Sequence, residues 1–272
     1  MDVIITGRMS SKRVPGKALY PLAGEPLLKR LVDKCRKLKH VNRIIMSTSN
    51  EKDDNPIQRF CEKHDIPCFR GAKTDVWNRH MSTFWHYSTT HAISIGADQL
   101  FFDLDLAQES INTALEHPGF ELYRPYIKKH YPFTNHMPEY DVFSGATPPD
   151  DPTPENVLLG QTNYWIETKK FVKRANQLIY MHQARDWLRG SPHKHIAGPM
   201  GSPRFFNVKW FDVSHLMPSQ TVVGGMPTMK ISLDFPLQML LADEIIKFLG
   251  RTPDTFADIH EAYAGIKEWS TP

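Results

Sequence analysis

Residues 1–17 read MDVIITGRMSSKRVPGK, and the change of character at Gly7 governs how the rest of the chain is read. Val3-Ile4-Ile5-Thr6 is a short apolar run ending at a glycine, the pattern of a buried strand feeding a loop. Beyond it stand Arg8, Lys12, Arg13 and Lys17, interleaved with Ser10, Ser11 and Gly16. Four cations and two hydroxyls at one strand exit suit a polyanion, because guanidinium forks and ammonium groups match phosphate oxygens. The segment is not a Walker A loop, which would need Gly at position 11 and Ser or Thr at 18, where Ser11 and Ala18 stand. Nor does it contain the Gly-x-Gly-x-x-Gly of a dinucleotide fold. Charge alone leaves a solvated basic loop as an open alternative.

Outward from this stretch, strand-like and helix-like segments alternate. Pro26 to Leu38 carries Leu27, Leu28, Leu31, Val32 and Cys35 at helical spacing, with Pro26 suited to a first turn. Arg43 to Thr48 reads as a strand, Pro56 to His64 as a helix and Cys68-Phe69 as a short strand. Asp75 to Tyr87 reads as a helix, Ala92 to Ile95 as a strand and Asp105 to Glu116 as a helix. The order implies an α/β fold: a three-layer, Rossmann-like arrangement with a mainly parallel mixed sheet. In such sheets ligands sit beyond the carboxyl ends of the strands, so segments 7–17, 48–54, 70–75 and 96–98 are expected on one rim. Residues 119–215, rich in Pro, His and aromatics and containing the loop Gly145 to Glu155, read as an inserted arm on a single domain, 1–272. Helices are expected at Gln177 to Arg189, Leu237 to Leu249 and Thr255 to Trp269, with a strand at Lys230 to Leu233.

The chain has 272 residues, 40% of them hydrophobic and 23% charged, which describes a globular protein with a real core. Its net charge of +3 is too small to argue for nucleic-acid binding by the whole molecule. The front end is basic, however: up to Arg43 only Asp2, Glu25 and Asp33 oppose eleven lysines and arginines. Cys35, Cys61 and Cys68 form no Cys-x-x-Cys pair, which favours reduced thiols and a cytoplasmic setting. The N-terminus does not read as a signal peptide, and no apolar run approaches the roughly 18 residues that span a bilayer. No histidine pair forms a His-x-x-x-His site on a helix beside an acid, and His193 and His195 fall in a Pro-Gly loop. Trp77, Trp165 and Trp210 read as core or interface residues rather than stacking platforms.

Gly7 to Lys17 resembles the Ala-Arg-x-x-Ser-x-Arg-Leu-Pro-Gly-Lys pattern of the CMP-sugar synthetases. More closely, the chain is similar to the spore-coat polysaccharide cytidylyltransferases of that superfamily. The likeness continues in order through Thr48-Ser49 with Asp53-Asp54, Phe69-Arg70-Gly71 with Asp75-Val76, Asp98, and Leu233-Asp234-Phe235-Pro236. It implies that Arg8, Ser11, Arg13 and Lys17 bind a CTP triphosphate, with Lys12 and Ser10 beside them. Thr48, Ser49 and Arg70 would fall near the cytosine, Asp75 in the loop closing that pocket, and Asp98 and Asp234 at Mg²⁺. The physics agrees, since Mg²⁺ favours one or two carboxylates plus phosphate oxygens. For Asp53 and Asp54 the alternative is helix-opening acids that favour the dipole.

Departures are visible too. Relatives have Gly-Asp-Cys-Pro where this chain has Ala97-Asp98-Gln99-Leu100, and acids where it has Leu237 and Gln238. The relatives' Asp-Arg appears as Asn78-Arg79. Arg124 and Lys128, with Lys129 and His130, follow a predicted strand and could hold an anionic acceptor; a solvated basic turn is the alternative. The expected activity is CMP transfer from CTP to a small anionic acceptor, a sugar acid or a phosphate or phosphonate metabolite, with Arg13, Lys17, Asp98 and Asp234 as the catalytic set. A homodimer built through the middle region is expected from the resemblance, and neither nucleic acid nor membrane is an expected partner. A catalytically silent nucleotide-binding relative and a basic RNA-binding α/β protein are the competing readings.

Overall fold

The computed structural model describes residues 1–126, 164–181, 206–216, 222–223, 226–227, 233 and 235–269. Among them, seven strands form the main sheet: β1 (Asp2–Thr6), β2 (Arg43–Ser49), β3 (Cys68–Gly71), β4 (His91–Gly96), β5 (Leu122–Tyr126), β6 (Ile166–Thr168) and β7 (Val208–Asp212). Their order is β3-β2-β1-β4-β6-β5-β7. Neighbours run parallel except at β6, which is antiparallel to both β4 and β5. This is the mainly parallel mixed sheet that the alternating sequence implies.

The central strand shows why the layers form. In β1, Val3 and Ile5 pack into one apolar cluster and Ile4 into another, because successive side chains leave opposite faces of a strand. The first cluster takes in α1 (Leu27–Cys35), α2 (Asn55–Lys63), α4 (Leu104–Glu116), α6 (Pro236–Leu249) and α7 (Phe256–Trp269). The second takes in α3 (Val76–His86) and α5 (Lys169–Met181) through Trp77, Phe84, Phe171 and Val172. A sheet buried on both faces needs apolar residues at consecutive positions, which is why Val3-Ile4-Ile5 reads as a continuous run.

The span 119–215 departs from its expected role as an inserted arm. Strands β5, β6 and β7 and helix α5 all fall within it and complete the central sheet. Two features hid them. They are only three to five residues long. Pro125 also interrupts β5, and its register with β6 covers Leu122 and Tyr123 alone. The expected loop 145–155, the end of the helix expected to reach Arg189, and all but Leu233 of the strand expected at 230–233 lie outside the described residues.

From β1 the chain builds β2 and β3 on one side and then crosses to β4 on the other, which makes the β1/β4 boundary the topological switch point. The loops leaving these two strands therefore diverge and open a crevice between them. Behind the second loop lies a buried clip. Lys34, 2% exposed, donates to the carbonyls of Leu100 (3.2 Å) and Pro253 (2.6 Å), with its Nζ 4.7 Å from the Phe102 ring centre. Nearby, Asp103 caps α4 by accepting from Asp105 N and Leu106 N and reaches across to Phe256 N (2.7 Å) at the start of α7. The chain after Asp98 is thus tied to both α1 and the C-terminal helices.

Burial, opposed by Asp103 and Asp254, lowers the Lys34 pKa from 10.5 to about 7. Between those values the unfolded lysine carries a proton that the folded one lacks, so unfolding takes up a proton and becomes less favourable as pH rises. Urea melts across this window should show wild-type stability climbing faster than that of Lys34→Met, by about 1.4 kcal/mol per pH unit. Parallel slopes would mean that the lysine stays charged in the fold.

Candidate active site

The crevice at the switch point is a cleft of about 410 Å³ lined by Thr6, Gly7, Arg8, Ser11, Lys12, Arg13, Lys17, Ala18, Val76, Arg79, Ala97 and Asp98. Its basic wall is a loop folded on itself. The Met9 carbonyl accepts from both Ser11 N and Gly16 N, each at 2.9 Å, and closes the neck. Val14 N donates to Ser11 Oγ (3.4 Å), and Val14 itself is buried in the core. Gly16, at φ +72°, turns the chain into the short helix Lys17–Leu19, a conformation that a side chain disfavours. With Val14 held inward, Arg8, Lys12 and Arg13 remain exposed at the mouth.

Two aspartates fix this loop. Asp54, 1% exposed, accepts from Met9 N (2.7 Å), from Ser49 N (3.2 Å) and from Ser49 Oγ, joining the basic loop to the end of β2. Asp53 beside it is exposed, so the acidic pair divides into one latch and one surface residue. Asp98, on the loop after β4, pairs with Lys17 Nζ inside the cleft, their side chains 25% and 10% exposed. Lys17 Nζ also reaches the Leu233 carbonyl (3.4 Å), and Leu233 N donates to the Asp98 carbonyl (2.8 Å). Phe235 lies under the Arg13 guanidinium at 5.3 Å. Asp234, between these two residues, lies outside the described residues.

Arg79 is the cleft residue that the sequence reading passed over. Its guanidinium donates to the Ala72 carbonyl (2.6 Å), and burial, then the nearby Arg8, holds its pKa below the ordinary value. The available signal was its place one turn into the helix that follows β3 at the same rim. With Arg79 included, five cations face one carboxylate across the cleft, a field that favours an anion of several charges.

The other expected site residues divide. Thr48 and Ser49 end β2 at this rim, both buried, and the Thr48 hydroxyl has no hydrogen-bond partner among the described residues. Arg70 on β3 donates to the carbonyls of Ser49 (3.0 Å) and Glu51 (2.6 Å), to Asn55 Oδ1 (2.7 Å) and to Gln58 Oε1 (2.5 Å), so it shapes the β2–α2 loop from behind. Asp75 caps α3 by accepting from Asn78 N (2.9 Å). Ser10 lies in the basic loop but does not line the cleft.

Arg124 is a correction. It is neither in a basic turn nor exposed: it lies within β5, 1% exposed, between the rings of Trp165 (4.1 Å) and Trp210 (4.6 Å). Burial lowers its pKa to about 9. Two indole faces offset part of the cost of burying the guanidinium, a pairing that no local sequence pattern encodes. Lys128 lies outside the described residues.

Residues 3–127 match the family model for cytidylyltransferases. That match covers a little under half of the chain. Among curated relatives, the spore coat polysaccharide biosynthesis protein SpsF of Bacillus subtilis is 31% identical over 107 residues, 38% of this chain and 45% of SpsF. The chain spans about half the length of the curated relatives it matches. A cytidylyltransferase structure from Leptospira borgpetersenii superposes with a TM-score of 0.70 at 13% identity, covering 98% of this chain and 94% of that one. A CMP:2-keto-3-deoxy-manno-octonic acid synthetase complexed with CTP gives 0.61 at 11% identity, covering 90% and 98%. At such identities these two establish the fold alone.

One departure from the family pattern has a steric explanation. A methyl group at Gly7 would overlap the Cβ of Ala97 on the facing loop. The related pattern places alanine at the first position and glycine at the second, so relative to it one methyl stands on the opposite wall of the cleft. Gly7→Ala should therefore cost about 1–3 kcal/mol in a denaturant melt, and adding Ala97→Gly should recover most of it. Simple additivity of the two changes would refute the exchange.

Proposed function

We propose that the chain is a Mg²⁺-dependent cytidylyltransferase that moves CMP from CTP to a small anionic acceptor, a sugar acid or a phosphate or phosphonate metabolite. The observation that carries this reading is the Lys17–Asp98 pair inside a cleft whose other charged residues are all cations. An acceptor oxygen bonds to the α-phosphorus as the bond to the β-phosphate oxygen breaks, and pyrophosphate leaves with the electron pair. Arg8, Ser11 and Lys12 bind the triphosphate, while Arg13 and Lys17 stabilise charge on the departing pyrophosphate. Thr48 and Ser49, at the end of β2, border the base; Arg70 and Asp75 act there by holding the flanking loops.

The donor set suits magnesium. Asp98 is a hard carboxylate at the cleft wall, its sequence partner Asp234 lies between two residues that touch the same wall, and the phosphates would complete the shell. Asp98 and Asp234 would hold the ion, which supplies neutralisation of phosphate charge. Lys17 now neutralises Asp98. We infer that it exchanges this carboxylate for phosphate oxygens when the nucleotide arrives, freeing Asp98 for the metal. An acceptor that attacks through a carboxylate, phosphate or phosphonate oxygen needs no strong general base, because that oxygen is already deprotonated, whereas a sugar hydroxyl would need a base or the metal to activate it. Lys128 remains the candidate for the acceptor side, with a homodimer formed through residues 119–215 and a cytoplasmic setting.

The reading is tested by pyrophosphate release with each of the four NTPs against a panel of sugar acids, phosphates and phosphonates. Release with CTP alone is expected, and none with any acceptor would leave a nucleotide-binding protein without this activity. Lys17→Ala should weaken CTP binding about tenfold to a hundredfold by calorimetry, the worth of a charge-assisted hydrogen bond. Asp98→Asn should lower turnover by about a hundredfold or more. Because it releases Lys17, the same variant should bind metal-free CTP more tightly than wild type. Weaker metal-free binding would count against the exchange.

A further inference from the structure

Cys61 on α2 and Cys68 on β3 meet at the outer edge of the sheet, where Cys61 lies in the first apolar cluster and Cys68 packs against it. Cys61 is buried and Cys68 is partly exposed. The two elements meet again one rung nearer the rim. Gln58 precedes Cys61 by three residues on a helix, Arg70 follows Cys68 by two on a strand, and Arg70 donates to Gln58 Oε1 (2.5 Å). Asn55, one further turn along α2, accepts from the same guanidinium (2.7 Å). The thiol pair and the Arg70 clamp are therefore successive links between the same two surfaces.

The clamp leads to the cleft. Arg70 Nε donates to the Ser49 carbonyl (3.0 Å), Ser49 N and Oγ donate to Asp54, and Asp54 accepts Met9 N (2.7 Å) of the basic loop. We propose that Cys61 and Cys68 form a reversible thiol–disulfide site whose oxidation, by a peroxide, disturbs the Arg70 clamp and through it the loop Gly7 to Lys17. The Cys68 thiolate attacks a peroxide oxygen, giving a sulfenic acid and releasing hydroxide. The Cys61 thiol then displaces that hydroxyl, forming the sulfur–sulfur bond and, with its own proton, water. A covalent bond of about 2 Å draws the two sulfurs closer than any non-bonded contact allows, so α2 and β3 must shift beside the clamp. The Cys61 thiol, aided by Arg70 and opposed by burial, favours the Cys68 thiolate, while burial pushes Cys35 up to about 12 and keeps it out of the reaction.

The effect on nucleotide rests on the CTP reading above; the chemistry and the loop response do not. The whole protein is treated with hydrogen peroxide, and intact mass and a non-reducing tryptic digest are read. Loss of two hydrogen masses is expected, with peptides Phe60–Lys63 and His64–Arg70 recovered as one crosslinked species that dithiothreitol separates. Hydrogen exchange at the Met9 and Ser49 amides should quicken in the oxidised form, and CTP affinity should fall about tenfold, within the usual range of coupling between sites. Cys68→Ser, and Cys61→Ala as a second variant in case one fails to fold, should show none of these changes. Overoxidation of Cys68 without a crosslink would overturn the site. A crosslink that leaves Met9 exchange unchanged would overturn its coupling to the loop. If the reduced protein binds no CTP while both chemical results hold, the nucleotide reading fails and the thiol site stands.

Discussion

A carboxylate paired with a lysine in a cleft whose other charged residues are all cations is the constraint from which the rest of the site follows. Lys17 and Asp98 come from loops that leave adjacent parallel strands, and they meet only because β1 and β4 are neighbours across the switch point. Without Asp98, the cations of the Gly7 to Lys17 loop and Arg79 would repel one another across a narrow cleft. With it, the array is tolerated in the folded protein and remains strongly positive, the state that a polyanion would relieve. Leu233 joins the same pair through its carbonyl and its amide, so the C-terminal part of the chain is held at the rim by groups that also serve the cleft.

Around that pair, much of the hydrogen bonding fixes backbone rather than offering groups to solvent. Asp54 latches the basic loop to β2, Gln99 holds the turn after β4 through Gly96 N, and Asp103 and Lys34 tie the following segment to the helices behind it. Arg70 and Asp75 belong to this supporting set. A cleft with rigid walls favours ligand binding, because a loop ordered beforehand loses less entropy when the ligand arrives. Gly7 against Ala97 is the steric counterpart: the two walls approach so closely that only one of them has room for a methyl group.

Legibility followed how local each cause was. The strands from β1 to β4 and the helices between them are set by apolar periodicity and by glycine and proline punctuation, so they read correctly from the chain. Strands β5 to β7 did not, because they are short, β5 carries a proline, and neighbouring strands define them. Among site residues, Arg8, Lys12, Arg13, Lys17 and Asp98 were visible as charges following strands. Arg79 was given no site role because its charge lies within a helix rather than on a loop leaving a strand. Arg124 was misplaced, because a basic residue near Lys128 looks like part of a solvated cluster until Trp165 and Trp210 are seen to close on it.

By itself, then, the sequence determined the alternating α/β order, the buried central strand and the clustering of cations directly after it. Those depend on residues within a turn or two of one another. Tertiary structure alone decided which charge would neutralise which. Lys17 and Asp98 are brought together by the lateral order of the strands, and Asp54 becomes a latch because β2 lies next to β1. Strand order arises from the burial of both faces of the sheet and from the crossovers between parallel strands, and it leaves no mark at any single position in the chain.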